Sequence, residues 1–220
     1  MKYEYVNKSE YAPAREEVEK IIKELHKRLK KKVKGFTFQH KLIGSGNRHL
    51  ITRIVGGNKG YDFDYNLVLN CKPGYFWEPK FAKELIIDTL REIVEDTIFD
   101  YPENSRSAIT IKVKDTKNSK IVHSVDFGII YYPNEEAFNG YKYIKTIKTD
   151  SEIIYVWEKR LLSNYLDEKI DWLKENVENY RAEVRKEYLY LKNLKANKAK
   201  RSFSIYLETI NNIFNSFYYR

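Results

Sequence analysis

The 220-residue sequence contains a single cysteine, Cys71, so neither an intramolecular disulfide nor a Cys-rich zinc module can form. Its histidines, His26, His40, His49 and His123, lack the spacing of a zinc site. No apolar run approaches the length needed to cross a bilayer, and the opening Met1-Lys-Tyr-Glu-Tyr has no apolar segment like that of a secretory signal. Internal repeats and low-complexity stretches are also missing. These absences lead us to expect a cytoplasmic protein in a reducing compartment with no membrane partner.

What is present is apolar and basic. An apolar fraction of 42%, with 15% aromatic residues, excludes disorder and allows a real core. The net charge of +9 is concentrated in "KIIKELHKRLKKKVK" (20–34) and "RAEVRKEYLYLKNLKANKAKR" (181–201). Such clusters attract polyanions, or they serve as solvated helix faces. In the second cluster Tyr188 and Tyr190 interleave with Arg and Lys, which suits an RNA track. Val184, Tyr188, Leu191 and Leu194 also repeat at helical spacing, so part of it belongs to a core.

Periodicity predicts a helix over 13–33, opened by Pro13 and followed by Gly35, with Val18, Ile21, Ile22, Leu25, Leu29 and Val33 on one stripe. It predicts strands at 36–43 and 61–70, with a glycine-rich loop between them. A helix over 80–98 behind Pro79 follows the turn-prone "CKPGYFWEP", whose aromatic residues 75–77 read as an anchored loop. Two strands then flank a polar turn at Thr116–Ser119, and a hairpin occupies 142–157. Three helices close the pattern at 159–176, 179–195 and 203–218, the last capped by Ser202 or Ser204. This order gives an α+β fold: a mixed β-sheet packed by helices in a core over 1–157, with a helical C-terminal region over 158–220 packing on it.

The chemistry centres on "GSGNRHLITRIVGGNKGYDFDYNLVLN" (44–70). Asp62 and Asp64 lie two apart on a strand and therefore share a face. Two close carboxylates repel unless a cation lies between them or one is protonated. Oxygen ligands suit Mg²⁺ or Mn²⁺, with substrate phosphates completing the shell. Asp126, in "HSVDFGII", would bring a third carboxylate to the same edge if its strand neighbours the first. In Gly44-Ser45-Gly46 the backbone amides can approach phosphate oxygens closely, and the Ser45 hydroxyl adds a donor. Lys59 could reach a phosphate or be simply solvated. Tyr131 and Tyr132 could stack on a base or, with 19 tyrosines in the chain, pack in the core or on the surface. His123, three before Asp126, points to the opposite face and reads as structural.

"LIGSG", "YDFDYNLVL" and "VDFGI" together resemble the polymerase-β-like nucleotidyltransferase superfamily. The match covers about residues 13–135, and "NKGYDFD" with the helical C-terminal part is most similar to the template-independent branch of oligoadenylate and cyclic-dinucleotide synthetases. The resemblance implies an enzyme that moves a nucleoside monophosphate from an NTP, ATP foremost, to a hydroxyl on a nucleotide or RNA, releasing pyrophosphate. It implies Asp62, Asp64 and Asp126 as catalytic ligands of two Mg²⁺, with Gly44, Ser45 and Gly46 on the triphosphate. Two features depart from the pattern: the spacer from Ser45 to Asp62 is longer, and the region after Asp126 is shorter than in dinucleotide synthetases. A small-molecule or protein acceptor, or a catalytically silent nucleotide- or RNA-binding module, are the alternative readings.

Overall fold

A computed structural model describes residues 2–71, 76–133, 138–162 and 164–219. The chain runs β1 (Tyr3–Tyr5), α1 (Lys8–Lys32), β2 (Phe38–Ile43), α2 (Gly44–Asn47), β3 (Thr52–Ile54), β4 (Tyr61–Leu69) and α3 (Pro79–Val94). It continues with β5 (Glu103–Asn104), β6 (Ile109–Asp115), β7 (Lys120–Tyr131), β8 (Gly140–Lys148), β9 (Ile153–Leu161), α4 (Asn164–Asn176), α5 (Tyr180–Asn193) and α6 (Ser202–Tyr218). Helices and a mixed sheet are the expected α+β class.

α1 buries Val18, Ile21, Ile22, Leu25 and Leu29, five of the six residues on the predicted stripe, and ends on three lysines facing its negative dipole end. It starts five residues before the sequence suggests, with Pro13 inside it. The ring's fixed φ suits the helix, and only one hydrogen bond near its start is lost. α3 starts as its Pro79 predicts, with the Glu78 carboxylate accepting from the Lys80 and Phe81 amides at 3.0 and 2.6 Å. Its end at Val94 is four residues short of the expectation.

The large sheet has the order β2-β4-β7-β6-β5, with β8 on the far part of β7 and β9 beyond it. β4 is central, antiparallel to β2 and parallel to β7. α3 lies in the crossover from β4 towards β7, and a parallel pair needs such a long connection. Along β4, Tyr61, Phe63, Tyr65, Leu67 and Leu69 are buried, whereas Asp62, Asp64, Asn66 and Val68 are exposed or half-buried. The buried face joins Val125, Phe127 and Ile129 of β7 and the apolar stripes of α1 and α3 in one core. The other face carries the acids.

The C-terminal helices form a second cluster of Leu173, Val177, Val184, Tyr188, Leu191, Ile205, Tyr206, Ile210 and Ile213, which also takes in Leu50. The short pair β1–β3, not visible in the sequence, ties the start of the chain to it. The Tyr3 amide donates to Asn193 Oδ1 at 2.7 Å, the Tyr5 hydroxyl donates to the Arg185 carbonyl at 2.7 Å, and the Arg185 guanidinium lies 3.8 Å from the centre of the Tyr5 ring.

Three further expectations are corrected. Residues 159–161 belong to β9, because Lys159, Arg160 and Leu161 pair with Lys142, Tyr141 and Gly140 and so extend the hairpin. Arg201, with no side-chain cap bond, precedes α6 in place of a serine cap. The loop from Gly44 to Gly60 holds α2 and β3. Tyr75 of the aromatic turn and Ser163 lie outside the described residues.

His123 sits on the core face of β7, as its odd spacing from Asp126 requires. It is 4% exposed, ringed by Tyr61, Phe63 and Phe99, and neither ring nitrogen has a partner among the described residues. Burial lowers its pKa, so the fold favours neutral imidazole. A depressed pKa gives stability that is present above the unfolded value near 6.5 and lost as pH falls through the lower folded value. His123→Phe is therefore expected to unfold at lower pH than the parent, with a larger gain in stability at pH 5 than at pH 8, because the imidazole that protonates in the unfolded chain is gone. Urea midpoints at pH 5 and pH 8 check it: an equal change at both would show that protonation of His123 is not involved.

Candidate active site

The register of β4 against β7 places Asp64 opposite Asp126 and Asp62 opposite Ser124. All three carboxylates therefore share the face away from the main core. β2 adds the next component. Ile43 pairs with Asp64, so Gly44 begins where the Asp64 side chain rises. Gly44 has φ +63°, and a Cβ on it would lie 2.3 Å from Asp64 Oδ2. Only glycine lets the turn close over that carboxylate. Gly46, one residue past Ser45, has more room, with a Cβ position 3.0 Å from Leu42 Cδ1. Gly44, Ser45, Gly46, Asp62, Asp64 and Asp126 thus gather at the junction of β2, β4 and β7. Lys59 is placed differently: it lines a surface cavity of about 380 Å³ with Lys114, Lys120 and the β6–β7 turn. A second cavity, about 490 Å³, includes Gly46 with Arg15, His40 and His49, but none of the three aspartates.

Hydroxyls orient two of the acids. Ser124 donates to Asp62 Oδ1, and Thr110, opposite Asp126 on β6, donates to Asp126 Oδ1 at 2.5 Å. Burial, followed by the charges of Asp126 and Asp62, pushes the Asp64 carboxyl up to about 6, while Arg48 pulls the other way. Burial also raises Asp126, against the Thr110 hydrogen bond, with the Asp62 charge adding to the rise. The site therefore concentrates negative charge that favours a cation.

Sequence reasoning missed four contributors. Ser124 and Thr110 are ordinary strand hydroxyls until the register is known. Arg48 lies 4.3 Å from the Tyr206 ring centre and 5.4 Å from that of Phe203, bridging Asp64's surroundings to the second cluster. Lys192 of α5 donates to Thr52 Oγ1 at 2.9 Å and lies over the Tyr3 ring. Burial lowers its pKa to about 8, with the Asp62 charge opposing. The one available signal was Lys192's position on the helix, one residue past the buried Leu191. Val184, Tyr188 and Leu191 are buried, so that face of the basic stretch is core, while Tyr190 is exposed.

The donor set fits a divalent cation: three carboxylates on one face, two of them raised by burial and mutual repulsion, beside a glycine turn. Among the described residues, no group of three or more His, Cys, Asp or Glu side chains stands in a position that could hold a metal ion, so the three aspartates would have to draw together around one.

No family model and no curated protein matches the sequence. Solved structures do. The GTP-bound form of Vibrio cholerae DncV matches with a TM-score of 0.57 at 17% identity over 96% of this chain and 53% of that one. This is the nucleotidyltransferase fold of DncV. DncV as a cyclic AMP-GMP synthase in complex with a linear intermediate matches with a TM-score of 0.55 at 17% identity, over the same 96% and 53%. Its form bound to 3'-deoxy ATP matches with a TM-score of 0.55 at 18% identity, again over 96% and 53%. The chain thus spans about half the length of DncV. Among the described residues, no helix is long and apolar enough to cross a membrane.

Proposed function

We propose that this chain is a divalent-metal-dependent nucleotidyltransferase that moves a nucleoside monophosphate from an NTP to a hydroxyl of a nucleotide or RNA. The observation that carries the reading is the in-register pairing of Asp64 with Asp126 under the Gly44 turn. Support comes from DncV, whose solved forms hold GTP or 3'-deoxy ATP. A further solved DncV structure has alanine in place of two aspartates spaced as Asp62 and Asp64 are, and another, with ATP and GTP, has asparagine in place of a further aspartate downstream.

In this reading Asp62, Asp64 and Asp126 hold Mg²⁺ or Mn²⁺. The bound metal offsets the charge of the triphosphate and of the attacking and leaving oxygens. Gly44, Ser45 and Gly46 form a cradle for the triphosphate, where Ser45 donates its hydroxyl. Ser124 and Thr110 keep Asp62 and Asp126 turned by holding one oxygen of each. Arg48 and Lys192 add positive charge on the side of the C-terminal helices, where the triphosphate's negative charge needs it. The acceptor oxygen forms its bond to the α-phosphorus as the bond to the pyrophosphate oxygen breaks, and the acceptor's proton leaves to water. Positioning and charge neutralisation are what this reaction asks of a protein.

Pyrophosphate release from each of the four NTPs, with Mg²⁺ or Mn²⁺ and with or without total RNA, tests the proposal. We expect release that needs the metal and Asp64, with ATP the best donor. Stimulation by RNA that falls steeply with salt would identify a polyanion acceptor. NTP binding without turnover, unchanged in Asp64→Asn, would sink the enzyme reading in favour of a silent binding module.

A further inference from the structure

Lys83 of α3 is 1% exposed, yet no carboxylate pairs with it among the described residues. Its ammonium donates instead to the Ser105 carbonyl at 3.0 Å and to Thr146 Oγ1 at 2.7 Å, and it lies 6.0 Å from the Tyr155 ring centre. An ammonium buried without a counterion is costly. Three elements meet at it. Thr146 of β8 donates onward to Asn104 Oδ1 at 3.1 Å, and Asn104 Nδ2 donates to the Tyr155 hydroxyl of β9 at 2.8 Å. The Thr146 amide also donates to the Arg106 carbonyl at 2.7 Å. The segment from Asn104 to Arg106 is thereby pinned between α3 and the β8–β9 hairpin.

The same segment reaches the acids. Ser105 Oγ lies 3.0 Å from Thr110 Oγ1, and Thr110 Oγ1 donates to Asp126 Oδ1. A threonine hydroxyl has one proton, and here it goes to Asp126. Ser105 must therefore be the donor to Thr110, which gives the chain one direction: Ser105 to Thr110 to Asp126. Its starting point is the residue whose carbonyl Lys83 holds.

We infer that Lys83 is a positioning residue for Asp126: by fixing Ser105, it sets the hydroxyl relay that turns the Asp126 carboxylate towards Asp62 and Asp64. This rests on the reading of the three aspartates as the metal-bearing acids. Burial lowers the pKa of Lys83 to about 8, which agrees with an ammonium held by neutral acceptors alone.

Lys83→Met, Ser105→Ala and the double variant, each in the full chain, test the inference through three readouts: pyrophosphate release, Mn²⁺ affinity from water-proton relaxation, and the thermal midpoint. Each single variant is expected to lower kcat and Mn²⁺ affinity about tenfold, with KM for the NTP within about twofold of the parent. The double variant should lose no more than Lys83→Met alone, because both changes cut one chain. Ser105→Thr, which keeps the hydroxyl, should retain activity. Parent-like kcat and Mn²⁺ affinity in Lys83→Met, or losses that multiply in the double variant, would overturn the positioning role. Should Lys83→Met fail to fold, Ser105→Ala decides: parent-like values there overturn the relay. A parent protein that neither binds Mn²⁺ nor releases pyrophosphate overturns the reading of the aspartates, and this role with it.

Discussion

Asp64→Asn is expected to lose pyrophosphate release by about a thousandfold, while the metal-free protein becomes more resistant to heat at neutral pH. The two effects have one cause. Asp64 sits half-buried opposite Asp126 and near Asp62, and that surrounding raises its pKa from 3.8 to about 6. For a group whose folded pKa is raised, stability is fully present below the unfolded value and lost as pH rises through the folded one. In the metal-free parent the penalty therefore grows between about pH 4 and pH 6 and persists above it. At pH 7.5 it amounts to about 3 kcal/mol. Asparagine carries no charge at any of these pH values, so the variant's advantage in thermal midpoint should appear above pH 6 and vanish near pH 4. Chelated samples scanned at the two pH values measure it. Mg²⁺ should stabilise the parent at pH 7.5 and leave the variant nearly unchanged. A variant less stable than the parent at pH 7.5 would show that Asp64 is satisfied without a cation.

Gly44→Ala should cost about a hundredfold in turnover with a much smaller loss of stability. Two costs add at this position. A non-glycine residue at φ +63° carries about 1 kcal/mol of strain. The new methyl also falls 2.3 Å from Asp64 Oδ2, so the carboxylate must turn aside or the turn must lift. For a chain of this size the strain alone lowers the thermal midpoint by about 2–4 °C. Displacement of a reacting group by an ångström is enough for the larger kinetic loss. Gly56 makes a fitting control: it has φ +67°, but nothing lies within 4 Å of its Cβ position. Gly56→Ala should show a similar drop in midpoint with parent-like turnover. Equal kinetic losses in the two variants would mean that backbone strain, rather than contact with Asp64, is responsible.

The parts of this molecule that were legible in sequence are those where a period is long enough to read. The α1 stripe repeats over five buried residues, and the alternation in β4 sets Asp62 and Asp64 on one face while Tyr61, Phe63 and Tyr65 go to the other. Asp126 could be read as a third acid because Val125 and Phe127 flank it, but only the parallel register with β4 sets it opposite Asp64. β1 and β3 escaped notice because three residues hold no periodicity. The boundary between β9 and α4 was displaced because Lys159 and Arg160 are compatible with either state, and pairing across the hairpin decided the outcome. Thr110, Ser124, Arg48 and Lys192 act on the acids from β6, β7, the turn after β2, and α5. No spacing rule joins positions so far apart in the chain, and their roles exist only once the fold brings them together.

The bond between the Tyr3 amide and Asn193, with the Tyr5 hydroxyl held by the Arg185 carbonyl, has a consequence for the order in which the protein takes shape. On the ribosome the first strand is made long before the helix that holds it, and at about 5–20 residues per second the wait lasts on the order of ten seconds or more. Until Asn193 emerges, residues 3–5 have only the short strand at 52–54 to pair with. The sheet carrying the aspartates can form during that interval, but Lys192 cannot reach Thr52 until α5 has been made. A nascent chain stalled before residue 185 would therefore display the acids and Arg48 without Lys192.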